Sequence, residues 1–294
     1  MSPAVRVRVP ATSANLGAGF DALGLALDLH DVVAARVGTG LNVSVSGCGA
    51  DELPRDANHL VVRAMMATFD HLGEPLPGLD VRCENRLPHG CGLGSSAAAI
   101  VAGVLAARGL VADGHQRMNV PAVLALAARL EGHPDNVAPC VLGGLTIAWL
   151  SDGSAHAVRL DVHPDVRPVV CIPADSVSTQ EARGLLPATV PHQDAAWNAA
   201  RAALLVEALT RRPELLLDAT EDRLHQQYRA PAMPETAELV ADLRSCGLPA
   251  VVSGAGPSVL VLTTAERPGE VQAPPGWQVR GLAVDRRGAV VEPA

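Results

Sequence analysis

Gly90, Gly92 and Gly94, followed at once by Ser95, Ser96 and an alanine run, are set out as residues that handle an anion; the stretch is LPHGCGLGSSAAAIVAG, 87–103. A glycine-rich turn opening a helix points bare backbone N–H groups and the positive end of the helix dipole at one spot, which suits a phosphate. The common nucleotide loop ends in Gly-Lys-Ser/Thr, with an ammonium group reaching the outer phosphates. This chain has no lysine. That excludes the common P-loop, the kinase fold that pairs a strand lysine with phosphate, and Schiff-base chemistry on lysine. A phosphate bound here is held by backbone, serine and arginine.

Two further small-residue loops, PATSANLGAGFD (10–21) and SGAGPS (253–258), and the segment EGHPDNVAP (131–139) are the other places where chemistry could sit. One glycine loop is weak evidence, because turns need glycine anyway. His133 has neither Glu-x-x-His nor a second spaced histidine beside it, so zinc is not expected. Asp135 reads as turn chemistry after Pro134 and is left out of the site.

The elements that must position these loops follow from periodicity. VRVRV (5–9), residues 25–37, LNVSVS (41–46) and LDVRCENR (79–86) alternate as half-buried strands. A helix is expected from Asn58 to Leu72, opened by that Asn. The glycine loop leads into a helix apolar on nearly every side, hence buried on nearly every side, and NVPAVLALAARLEG is another helix, with Pro121 in its first turn. The second half alternates again: strand 166–173, helices 179–187, 194–210 and 235–246, then strands 249–254 and 259–264 around the loop at 253–258, a split βαβ or ferredoxin-like layer. A polar stretch after Leu150 places a boundary there, giving domains 1–155 and 156–294.

Composition bounds the rest. With 294 residues, 48% of them hydrophobic and 2% aromatic, the chain is a folded globular protein whose core is packed from Ala, Val and Leu. A net charge of −8 argues against nucleic acid as the main partner. Six cysteines without a Cys-x-x-Cys pair fit reduced thiols in a cytoplasm. The N-terminus lacks a signal-peptide core, and Arg108 interrupts the apolar run 97–112 short of a membrane span. A soluble, cytoplasmic protein is expected.

In this order and wording the three loops are far more specific than any one of them. Pro-x-Gly-x-Gly-Leu-Gly-Ser-Ser-Ala, with His89 in second place, resembles the phosphate loop of the galactokinase, homoserine kinase, mevalonate kinase and phosphomevalonate kinase (GHMP) superfamily. Thr-Ser-Ala-Asn-Leu-Gly-Ala-Gly-Phe-Asp and Glu-Gly-His-Pro-Asp-Asn-Val-Ala-Pro are similar to its homoserine kinase branch, and the resemblance covers nearly the whole chain. It implies an α+β fold with a ribosomal S5 domain 2-like N-terminal domain and a ferredoxin-like C-terminal one. It also implies ATP and Mg2+ as cofactors and phosphorylation of the side-chain hydroxyl of L-homoserine in threonine biosynthesis. A homodimer is the implied assembly, with no nucleic acid and no membrane.

Phosphoryl transfer needs charge neutralised on the moving group and the acceptor hydroxyl held in line. Pro88, Gly90, Gly92, Leu93, Gly94, Ser95, Ser96 and Ala97 form the phosphate loop, with N–H groups of Gly94 to Ala97 at the helix start. By the family pattern Ser96 and Glu131 ligate magnesium, a hard cation that takes oxygen ligands. His133 and Asn136 stand beside the hydroxyl and the reacting phosphate, with Thr179 near them. Arg183 and Arg229 match the family's carboxylate-binding pair, whose planar forks fit a carboxylate. Asp21 faces the substrate amine and Asn15 the hydroxyl. Asn58 is the polar contact for adenine, which rests against residues 58–63. Catalysis is expected to come mainly from positioning and charge neutralisation, with the proton lost late to phosphate or water.

The nearest rival is another acceptor on the same scaffold, L-threonine, mevalonate or shikimate. All offer a carboxylate, but Asp21 asks for an amine and so disfavours the last two. A remoter rival is an inactive nucleotide-sensing or RNA-binding module; the acidic charge and the presence of Ser96, Glu131, His133 and Asn136 weigh against it.

Overall fold

The computed structural model describes residues 4–176, 179–264 and 271–293. Its first sheet is built on a long hairpin. Strand β1 (Ala4–Ala14) pairs antiparallel along β2 (Leu23–Gly38), with a register shift at Pro10/Ala11, where proline has no N–H to give the ladder. The second half of β2 pairs with β4 (Gly78–Asn85), which lies parallel to β3 (Leu41–Gly47). Its first residues pair with β5 (Leu145–Ser151), which forms a hairpin with β6 (Ser154–Leu160).

The strand reading at 5–9 stopped short: β1 continues through Pro-Ala-Thr-Ser-Ala, which the sequence marks as loop. Thr12, Ser13 and Ala14 are buried, because small side chains let two loops close on the strand end. Thr12 N donates to Leu93 O, and Gly254 N donates to Ala14 O.

Helix α1 (Leu60–Leu72) starts two residues later than Asn58 and ends at left-handed Gly73. Helix α2 (Ser95–Leu110) runs through the centre, its alanines letting it pack against α1, β1, β2 and α4 (Val120–Glu131) at once. Between them lies α3 (Gly114–Arg117), and α5 (Val137–Leu142) follows the Glu131–Asn136 corner. Asn119 caps α4 by accepting from Ala122 N.

The second sheet is four-stranded and antiparallel, ordered β10 (Gln278–Gly281), β7 (Val166–Ile172), β9 (Val259–Thr264), β8 (Ala250–Val252). Numbered within this half, the order is four-one-three-two, that of a ferredoxin-like layer. Between β7 and β8 run α6 (Thr179–Gly184), α7 (His192–Thr210), α8 (Leu216–Ala219), α9 (Gln226–Arg229) and α10 (Pro234–Ser245).

Residues 155 and 156 lie inside β6, in the first sheet, and the final strand β11 (Val290–Pro293) returns to pair with β1. One continuous core joins the sheets, including Val5, Leu25 and Ile100 from the first half and Val170, Val251 and Leu260 from the second. A smaller cluster with Val169, Leu239 and Val261 packs α10 on the other face of the second sheet. No helix among the described residues is long and apolar enough to cross a membrane.

Candidate active site

A cleft of about 220 Å³ opens where the N-terminus of α2, the ends of β1 and α4, and helices α6 and α9 converge. The glycine loop forms one wall because glycine alone fits there. Gly92 has φ +72, and a Cβ on it would lie 2.1 Å from Ser253 O; one on Gly94, at φ +70, would lie 1.9 Å from Thr12 Oγ1. Ser253 Oγ lies 2.6 Å from Gly92 O and 2.8 Å from Ser13 Oγ, which ties the phosphate loop, β1 and the 253–258 loop together. The first-turn amides of α2 have no partner in a preceding turn, and Ser95 and Ser96 of that turn line this opening.

Ser96 and Glu131 come from the start of α2 and the end of α4. Ser96 Oγ donates to Glu131 Oε2 at 2.7 Å. Burial raises the Glu131 carboxyl above its ordinary value, the Ser96 hydrogen bond opposing it. Asn136 Oδ1 accepts from Thr12 Oγ1 at 2.8 Å. His133 Nδ1 lies 2.5 Å from Asp135 Oδ1, the same oxygen that accepts from Asn136 N at 3.0 Å. That contact raises the His133 pKa against the opposing effect of burial.

Asn15 sits at φ +71, a conformation asparagine tolerates better than most residues. Its Nδ2 donates to Gly254 O at 2.8 Å, and its Oδ1 accepts from Asp21 N at 2.9 Å. Arg183 makes a two-pronged pair with Asp21, Nη2 to Oδ1 at 2.8 Å and Nη1 to Oδ2 at 3.2 Å. Arg229 is 1% exposed. Its Nη1 contacts Gly254 O and His225 Nδ1, both at 3.2 Å, while Nε is buried without a partner. His225 Nε2 lies 2.9 Å from Gly17 O, so the neutral ring that burial favours carries its proton on Nε2 and accepts from Arg229 on Nδ1.

Asn15, Gly90, Gly92, Gly94, Ser95, Ser96, Glu131, His133, Asn136, Arg183 and Arg229 all line this cleft. Asp21 joins it through Arg183. Leu93 and Ala97 are buried, so only their backbone can serve a ligand, and Pro88 is half-buried ahead of the turn. Thr179 begins α6, but its side chain lies outside the described residues. Asn58 lines neither this cleft nor the cavity beside it; it is exposed and turned onto Asp56, while its neighbour His59 lines that cavity. Asp135, which the sequence reading set aside as turn chemistry, also lines the cleft, as do Gly254 and Ala255, which it gave no role beyond their place in the 253–258 loop. For Asp135 the signal was available: a carboxylate two residues after a histidine can reach its ring.

Two family models match the chain, the GHMP kinases N terminal domain over residues 59–144 and the GHMP kinases C terminal over 195–274. A homoserine kinase of Streptomyces coelicolor is 58% identical over 293 residues, 99% of this chain and 95% of the relative. One of Streptomyces avermitilis is 57% identical over 293 residues, 99% and 96% of the two chains. The crystal structure of homoserine kinase from Cytophaga hutchinsonii matches with a TM-score of 0.84 at 28% identity, covering 99% of this chain and 98% of that one. The glycine loop that opens α2 without a lysine, the Ser96–Glu131 pair and the wording on either side of them thus have one origin: the chain belongs to the GHMP kinase family, ATP-dependent small-molecule kinases of two-domain α+β fold, and within it to the homoserine kinases.

Proposed function

We propose that this protein transfers the γ-phosphoryl group of ATP to the side-chain hydroxyl of L-homoserine, with the residues of the cleft in the following roles. The observation that carries the reading is the meeting, in one small cleft, of a glycine-rich loop with two guanidinium groups and a carboxylate from segments that sequence places far apart. The α2 amides and Ser95 take the phosphates. Ser96 and Glu131 fit Mg2+: both are hard oxygen donors 2.7 Å apart, and the half-buried carboxyl with its raised pKa is one that a cation would ease into the ionised form. When bound, Mg2+ supplies neutralisation of phosphate charge.

An amino acid substrate needs anchors of both signs. Arg229 offers an orphaned buried Nε to the carboxylate, Arg183 offers a fork, and Asp21 takes the ammonium. In the free protein Arg183 and Asp21 satisfy each other. The neutral His133 ring and the Asn136 amide orient the hydroxyl. Asn15 and Thr179 complete its surroundings, and the proton leaves late to phosphate or water. Cys83 and Cys171 are free, as the proposed cytoplasmic setting requires, and desolvation pushes the Cys83 thiol up to about 12 and the Cys171 thiol to about 11, which leaves both inert. The homodimer rests on the family resemblance and is measured by sedimentation.

An ATP-coupled assay across L-homoserine, L-threonine, mevalonate and shikimate tests the substrate. Turnover of homoserine with the highest kcat/KM is the expected result, and no turnover of it overturns the proposal. Calorimetry with a magnesium–ATP analogue present tests the anchor. Arg183→Ala is expected to weaken homoserine binding by about 1.5–3 kcal/mol, the range for hydrogen bonds to charged groups. The larger cost of a desolvated pair does not apply to a side chain 36% exposed.

A further inference from the structure

Four residues ahead of Arg229, at the entry to α9, His225 is 0% exposed, and its backbone is pinned where Asp222 Oδ2 accepts from His225 N at 3.1 Å and Gln226 N at 2.7 Å. Its two ring nitrogens face two different segments. Nε2 lies 2.9 Å from Gly17 O, in the loop that carries Asn15 and Asp21, and Nδ1 lies 3.2 Å from Arg229 Nη1. A carbonyl oxygen only accepts, so the proton sits on Nε2 and Nδ1 is left to accept from the guanidinium. Burial lowers the His225 pKa and outweighs Asp222, whose carboxylate 3.6 Å from Nε2 favours the imidazolium. Phe20 closes the assembly, its ring stacked 5.0 Å from the imidazole and 5.4 Å from Arg229 Cζ.

The two arginines of the cleft are held in opposite ways. Arg183 spends its fork on the Asp21 carboxylate, whereas among the described residues Arg229 has only neutral acceptors, Gly254 O and this ring. An acidic side chain at position 225 would hold Arg229 as firmly but cancel its charge. We infer that His225 is a positioning residue for substrate recognition: as a neutral acceptor it fixes the Arg229 guanidinium without neutralising it, leaving the charge for the carboxylate of an amino acid substrate. Through Nε2 the same ring ties that anchor to the loop whose Asp21 takes the ammonium, so the two ends of the substrate are gripped at a set separation. The inference rests on the proposed binding of the substrate carboxylate by Arg229.

Steady-state kinetics on the full chain, with homoserine and then Mg–ATP as the varied substrate, test it on His225→Leu and His225→Asn. The two new side chains share one branched outline and both give up the Gly17 contact, but only asparagine keeps an acceptor near the place of Nδ1. His225→Leu is expected to raise the homoserine KM about tenfold, as loss of a hydrogen bond to a charged group should, with kcat and the Mg–ATP KM little changed. His225→Asn should recover most of that loss. An unmoved homoserine KM in His225→Leu, an equal rise in both KM values, or an asparagine variant as impaired as the leucine one overturns the inference. Arg229→Ala separates this from a failure of the site itself. If that variant leaves the homoserine KM unmoved, the carboxylate site falls and the role of His225 with it; a raised KM there beside an unmoved one in His225→Leu is the failure of this inference alone. A thermal melt of each variant confirms folding. Should leucine not be accepted, a tenfold higher homoserine KM in His225→Asn still overturns the inference, since its acceptor is in place.

Discussion

Asp135 decides what the His133 ring can do. It is 2% exposed, and its Oδ1 faces both His133 Nδ1 and Asn136 N. With Nδ1 committed to donate to this carboxylate, the neutral ring presents Nε2 as an acceptor, the state needed to orient a hydroxyl. The hydrogen bond from His133 to Asp135 raises the histidine pKa, and the remaining charge of Asp135 and Glu131 adds to it. Activity that needs the neutral ring therefore rises with pH through a value above the ordinary 6.5 of histidine. In a kcat/KM profile, Asp135→Asn should move that limb to lower pH, because the charge that favours the imidazolium is gone. A variant that loses activity with its limb unmoved would leave Asp135 a merely structural role. The linkage to stability has the opposite direction: a raised histidine pKa contributes stability in full below 6.5 and loses it as pH rises through the folded value. From the sequence Asp135 reads as turn chemistry, because Pro-Asp-Asn is a turn as well as a site; only the corner after α4 brings its carboxylate back onto the ring. At Asn58 the sequence could not show the local partner: an aspartate two residues earlier holds its side chain in the free protein, while His59 is the neighbour that lines the adjoining cavity.

At the scale of elements, the site is a junction of three loops. Their residue types are legible in the sequence, but their contacts are not. Gly92 allows the phosphate loop to press against the backbone of Ser253 and Gly256, a contact between segments more than 150 residues apart along the chain. Two separate costs would meet any side chain there, the left-handed backbone and the clash with a carbonyl oxygen. Gly132, the C-cap of α4, has φ +96 with nothing within 4 Å of a built Cβ, and so carries only the first. In urea denaturation Gly132→Ala is expected to cost about 1–2 kcal/mol and Gly92→Ala about 2–4 kcal/mol, the difference being overpacking. Equal costs would mean that the 253–258 loop yields freely and does not hold the cradle. The same junction explains why β1 runs on through Pro-Ala-Thr-Ser-Ala. Propensity marks these residues as loop, but their small side chains are what a strand end needs when two other backbones hydrogen-bond to it.

At the scale of the whole molecule, the halves are joined by more than the cleft. After β10 the chain crosses back to the first sheet. Asp28 N donates to Ala283 O, Asp285 N to Ala26 O and Ala289 N to Cys140 O before β11 pairs with β1. No periodicity in the sequence could show this, since a four-residue strand carries almost no pattern and its partner lies at the other end of the chain. Asp285 fastens the crossing. Its carboxylate is 6% exposed and accepts from Arg287 N at 2.8 Å and Gly288 N at 2.6 Å, with His30 Nε2 at 2.7 Å. Burial alone would raise its pKa, but the His30 contact and the two amides outweigh burial and hold it below the ordinary 3.8. A depressed carboxyl contributes stability above that value and loses it as pH falls through the folded one, so this fastening weakens only in strong acid. Asp285→Ala leaves the two amides and the His30 ring without their acceptor, and a cost of about 3 kcal/mol is expected at neutral pH. It should appear as a lower urea midpoint with unchanged slope, and as a stability difference from wild type that shrinks below pH 3.8. Loosening β11 also bares the edge of β1, so the variant should aggregate at concentrations where the wild type does not. A variant with wild-type midpoint and solubility would mean that β11 is held by its four-residue ladder and the shared core, with the Asp285 turn dispensable.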